Sequence, residues 1–137
     1  MFRCDRLAIR RGTFELGPLS ASVEAGQVVV VIGPNASGKS TLLGMAAGVL
    51  PSSEGMVQIN GQPLAKCDLA SRAAMLAYLP QQPARDLELS VERLVSLGRL
   101  RLSSSPERIE EAIEEFELSE IRHRAVSTLS AGQAQRV

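Results

Sequence analysis

Five β-branched residues in succession, Val28-Val29-Val30-Val31-Ile32, run directly into Gly33-Pro34-Asn35-Ala36-Ser37-Gly38-Lys39-Ser40-Thr41. The apolar run predicts a strand buried on both faces, as in the parallel sheet of an α/β fold. The residues after it match G-x-x-x-x-G-K-S in the setting where the pattern has meaning: strand, glycine-rich loop, helix. The residue types follow from the chemistry of a polyphosphate. Successive backbone N–H groups point at the anion, the helix N-terminus adds its positive dipole end, and glycine permits the turn and close backbone approach. Lys39 then reaches the β- and γ-phosphates, and the Ser40 hydroxyl ligates Mg²⁺. By composition alone such a match arises about once in 20,000 positions.

The other elements arrange themselves around this loop. Leu7-Ala8-Ile9 and Leu19 to Val23 alternate weakly and predict antiparallel strands. A helix is expected over 39–48, leaving through the turn-rich stretch 51–55. Val57 to Ile59, followed by Asn60-Gly61, predicts a strand ending in a tight turn. A further strand is expected over 75–79, stopped by Pro80. Beyond it the pattern becomes helical. Ser90 is the expected N-cap of a helix carrying Leu94, Val95 and Leu97, and Ser105-Pro106 starts a second helix. Ile109, Ala112, Ile113 and Phe116 fall at i, i+3, i+4 and i+7, one apolar face. The glutamates between them, Glu107, Glu110, Glu111, Glu114, Glu115 and Glu117, are expected to be a solvated surface. Ser130 is a further N-cap candidate, in Leu129-Ser130-Ala131-Gly132-Gln133.

Composition narrows the class. The 137 residues are 45% hydrophobic, enough for a globular domain or a piece of one. Fifteen basic residues balance fifteen acidic ones, which argues against a nucleic-acid partner. Cys4 and Cys67 share no metal or redox spacing and read as two reduced thiols. No apolar run approaches the ~20 residues of a membrane span, and the charged N-terminus is no signal peptide. A cytoplasmic location is expected.

Loop and C-terminal motif together resemble the ATP-binding cassette (ABC) ATPases, over essentially the whole chain. GPNASGKSTLL is similar to the family's Walker A loop, with Ala36 where glycine is usual. LSAGQ resembles the signature motif LSGGQ, with Ala131 replacing the first glycine. LAYLPQQ resembles the Q-loop, Gln81 being the matching glutamine. LSVERLVSLGR, with Gly98-Arg99, resembles a segment of the ATPases of iron-siderophore, haem and cobalamin importers.

The resemblance implies a P-loop NTPase fold with three parts: an N-terminal antiparallel β subdomain, the start of a RecA-like parallel core, and a helical subdomain. Residues 1–88 are expected to hold the β subdomain, Walker A loop and Q-loop, and 89–137 the helical subdomain ending at the signature. ATP and Mg²⁺ are the implied ligands, Mg²⁺ being held by Ser40 and Gln81. The implied partners are a second, head-to-tail ATPase subunit, which would meet Ser130 and Gly132 through its own nucleotide, and a membrane permease. Adenine stacking falls to Arg10 or Arg11 through a guanidinium plane, or to Phe14.

Hydrolysis in this family also needs an Asp-Glu pair at the end of an apolar strand and a histidine after the signature. Asp5, Asp68 and Asp86 end no apolar strand, and His123 precedes the signature, so it reads as a surface residue. The chain is therefore expected to stop short of its catalytic half, to be inactive alone, and to leave the faces of the Val28–Ile32 run uncovered. Two other readings stay open on the sequence alone: a soluble ABC ATPase without a membrane partner, and an inactive remnant.

Overall fold

The computed structural model describes residues 1–81, 87–98 and 105–137. They form two compact units, Met1–Tyr78 and Leu79–Val137. Arg99 and Asp86 lie outside the described residues.

In the first unit, strand β1 (Phe2–Arg11) pairs antiparallel with β2 (Phe14–Val23). Helix α1 (Lys39–Ala46) follows the glycine-rich loop. Strand β3 (Glu54–Ile59) then returns antiparallel on the other side of β1, and the short β4 (Gln62–Pro63) completes a sheet of order β2-β1-β3-β4. Helix α2 (Leu69–Met75) closes the unit. The pleat of β1 is interrupted by a register break between Cys4 and Leu7, where Arg6 takes φ 49°, so that Cys4, Leu7 and Ile9 are all buried while Arg3, Asp5 and Arg10 are exposed. Those three core residues join Met45, Val57 and Leu64, with Phe14 and Leu16 packed against the cluster from β2. Asn60 and Gly61 both take positive φ, 51° and 78°, the pattern of a type I′ hairpin turn. The expected tight turn after Ile59 is therefore present.

Two expected strands are not. Val28 to Ile32 belongs to no strand, and Val28, Val30 and Ile32 are 90%, 75% and 87% exposed. No described strand offers it a ladder, and β-branched residues form a strand only where hydrogen-bonding partners and packing neighbours exist. The uncovered apolar faces were themselves expected. Met75 ends α2 instead of starting a strand; the Asp68 carboxylate accepts from the Ser71 N–H at 2.7 Å and starts that helix. An N-cap and the good helix formers Leu69, Ala70, Arg72, Ala73 and Ala74 outweigh the apolar run that follows.

The second unit holds α3 (Val91–Leu97), α4 (Pro106–Glu115) and α5 (Ala131–Arg136). Ser90 caps α3, its Oγ accepting from the Arg93 N–H at 3.2 Å. Ser105 precedes Pro106 as expected but caps no backbone group; its hydroxyl donates to the Glu107 carboxylate instead. The six glutamates of this stretch are exposed.

Of the expected apolar face of α4, Ile113 is fully buried and Ile109 packs against the core, but Phe116 is half exposed. Helix α4 ends at Glu115, and the chain reverses through Glu117 at φ 54°. The Leu118 N–H donates to the Ile113 carbonyl and the Glu117 N–H to that of Glu114, at 2.8 and 3.0 Å. This is a Schellman motif, which turns Leu118 onto Ile113 and takes Phe116 off the core side. Val91, Ile113, Leu118, Ile121, Val126, Leu129 and Ala134 make up the core of this unit.

Candidate functional site

The glycine-rich loop is exposed from Gly33 to Ser37. Its Lys39 side chain folds back across it: Nζ donates to the carbonyl oxygens of Gly33 and Pro34, at 2.9 and 2.7 Å. The Ser37 N–H donates to the Pro34 carbonyl at 3.4 Å, which curls the intervening Asn35 and Ala36 into a turn. Ala36 adopts φ 64°, a left-handed conformation that glycine takes without strain.

Gly38 is a residue the loop cannot readily replace. It sits at the helix N-cap with φ 91°, and a Cβ there would come within 3.1 Å of Phe14 Cζ and 3.2 Å of a Leu16 methyl. Having no side chain, Gly38 also cannot cap α1. The N–H groups of the first turn, Lys39, Ser40 and Thr41, thus have no side-chain acceptor among the described residues. Uncapped N–H groups at a helix N-terminus, beside a lysine ammonium, suit a polyphosphate. Ser40 is exposed, one residue past Lys39. The described residues contain no cluster of three or more His, Cys, Asp or Glu side chains able to hold a metal ion.

Residues 16–137 match the ABC transporter family. The chain belongs to that family. A hemin import ATP-binding protein, HmuV, from Pseudomonas fluorescens (strain Pf0-1) is 39% identical over 142 residues, covering 100% of this chain and 56% of the relative. An iron(3+)-hydroxamate import ATP-binding protein, FhuC, from Bacillus subtilis (strain 168) is 37% identical over 127 residues, covering 87% of this chain and 47% of the relative. The solved structure of an ATP-binding subunit of an ABC transporter superposes with TM-score 0.85 at 25% identity, over 99% of this chain and 58% of that one. The cassette therefore spans about half the length of the curated relatives it matches, and its fold is that of the P-loop ABC ATPases.

The cassette's signature candidates fall in the second unit. Leu129 is buried in its core, while Ser130, Ala131 and Gly132 are exposed at the start of α5. Ser130 and Gln133 form a reciprocal capping box. The Gln133 N–H donates to Ser130 Oγ at 3.3 Å, and the Ser130 N–H donates to Gln133 Oε1 at 3.0 Å. The cap at Ser130 was legible in the sequence. The role of Gln133 was missed, although S-x-x-Q is its signal.

The approach to Ser130 is anchored by the backbone. The Val91 N–H donates to the Arg124 carbonyl at 3.0 Å, and the Val126 N–H to that of Leu89 at 2.9 Å. Arg122 ties two helices to the same stretch, donating to Glu92 Oε1 at 2.6 Å and to Glu110 Oε1 at 2.8 Å. The hydrogen bonds that Arg122 donates to Glu110 and Glu92 raise its pKa, and the one Glu92 accepts lowers that of Glu92. His123 is exposed, as expected, with Nδ1 3.5 Å from Glu92 Oε2.

Gln81 is exposed, and no described helix is long and apolar enough to cross a membrane. Cys4 and Cys67 are both free and buried. Among the three adenine candidates, the Arg10 guanidinium is held by Glu15, its Nη2 2.5 Å and its Nε 3.2 Å from Oε1, which raises its pKa. Arg11 is exposed opposite Phe14 across the hairpin. Phe14 is half-buried against the core.

Proposed function

We propose that the chain binds MgATP as part of the ATP-binding subunit of an importer, with haem, an iron-siderophore or a cobalamin-type compound as cargo. What carries the nucleotide reading is the loop. A lysine ammonium lies across two loop carbonyls, beside a helix whose first turn has no side-chain cap. The backbone of Gly33 to Thr41 wraps the phosphates, and Lys39 exchanges its bonds to Gly33 and Pro34 for phosphate oxygens. Ser40 and Gln81 would hold Mg²⁺, which when bound would supply charge neutralisation to the phosphate chain. The cargo class is supported by the names of the relatives, import proteins for hemin and for iron(3+)-hydroxamate.

Residues 1–88 serve nucleotide binding and sensing, and 89–137 present the signature. Leu129 to Gln133 face the nucleotide of a second, head-to-tail subunit, Ser130 and Gly132 making the contacts. The assembled pair works on the cytoplasmic face of the membrane against a permease, with Gln81 linking nucleotide state to it.

The test is titration calorimetry of MgATP with the parent and Lys39→Ala. Loss of one charge-assisted contact weakens binding by about 1.5–3 kcal/mol, roughly ten- to a hundredfold. Equal affinity of the two proteins would sink the phosphate assignment.

A further inference from the structure

The contact between the β1–β2 hairpin and the phosphate loop assigns Phe14 a different task from stacking on a base. Phe14 and Leu16 occupy the same face of β2, two residues apart, and both pack against the core of the first unit. Their side chains close on Gly38 so tightly that a single added methyl group there would meet Phe14 Cζ at 3.1 Å and both Leu16 methyls at 3.2 and 3.3 Å. Among the described residues the loop's other hydrogen-bonded supports are the Lys39 bonds to its own carbonyls and one long turn bond from Ser37.

We propose that Phe14, with Leu16, is the seat of the phosphate loop, a positioning residue that holds Gly38 and the first turn of α1 in the geometry that receives phosphates. This rests on the reading of the loop as a phosphate site. A base platform must offer an open ring face, whereas the tip of this ring is spent against Gly38 and its body against the core. Without the ring, the loop spends less time seated, and its affinity for any phosphate chain falls with the seated fraction, base or no base.

Two probes separate the possibilities: MgATP, and magnesium tripolyphosphate, which has the phosphates and no base. Both are titrated by calorimetry into the parent protein, Phe14→Ala, Phe14→Leu and Lys39→Ala. Phe14→Ala weakens both probes by the same factor, about tenfold if the seated fraction drops to a tenth. Phe14→Leu keeps an apolar wall but no aromatic face, and stays within about twofold of the parent for both, by the same relation.

A loss confined to MgATP in either variant overturns the proposal and makes Phe14 a base platform. Unchanged affinity in Phe14→Ala, or Phe14→Leu as weak as Phe14→Ala, overturns it as well. Should Phe14→Ala not fold, Phe14→Val, which shortens the apolar wall, takes its place beside Phe14→Leu: an equal loss for both probes in Phe14→Val that Phe14→Leu does not share supports the seat, and unchanged affinity or a loss for MgATP alone overturns it. A parent that binds neither probe, or a Lys39→Ala that binds both unchanged, instead removes the phosphate reading beneath it.

Discussion

Ala36→Gly should stabilise the protein, although glycine for alanine usually does the reverse. Ala36 holds φ 64° in an exposed turn, so its methyl group contributes no packing to lose. An L-residue in the left-handed region carries about 1–2 kcal/mol of strain that glycine does not. Against this, glycine adds freedom to the unfolded chain, a cost of about 0.4–1 kcal/mol. Relief of strain outweighs that cost, and a net gain of about 0.5–1 kcal/mol is expected, or roughly 2–4 °C in Tm for a chain of this size. The control lies eleven positions on. Ala47 has φ −80° and ψ −5°, in the right-handed region, and is partly buried, so Ala47→Gly has no strain to relieve and loses at least the entropic cost of about 0.4–1 kcal/mol. Urea unfolding followed by circular dichroism, with the m-value checked for constancy, reads both variants on one scale. If Ala36→Gly destabilises as much as Ala47→Gly, the left-handed assignment is wrong, and with it the account of why glycine suits that place in the loop.

Three further outcomes are expected. Ile113→Ala removes a fully buried side chain from the core of the second unit and should cost about 2–5 kcal/mol in chemical denaturation, against under about 0.5 for the exposed Glu114→Ala. Ser130→Ala deletes half of the capping box and should cost about 1 kcal/mol, while Gln133→Glu, which keeps the S-x-x-E form of the box, should keep most of it; amide exchange across α5 tells them apart. Glu92 has its pKa lowered by the hydrogen bond from Arg122, so its contribution is complete above the ordinary carboxylate range and is lost as pH falls through the lowered value. A pH series of unfolding midpoints should show an acid-side loss, below the ordinary carboxylate range, that is smaller in Glu92→Gln.

Much of this molecule could be read from short stretches of sequence. G-x-x-x-x-G-K-S, Ser90, Ser130 and Asn60-Gly61 act through bonds within a few residues, so local order was enough to place the loop, two helix caps and one hairpin turn. The same local rule failed wherever a distant partner decided. Val28 to Ile32 has the composition of a strand, yet strand pairing is a property of two segments, and none of the described strands pairs with it. Phe116 sits on the apolar side of a helical wheel, but the reversal at Glu117 puts Leu118 in the core and leaves Phe116 half exposed. Phe14 shows the division most plainly. As a ring near a glycine-rich loop it reads in sequence as a base platform, and only the tertiary approach of β2 to Gly38 shows what it touches. Backbone preferences and caps are encoded residue by residue, whereas the neighbours of a side chain come from the path of the whole chain.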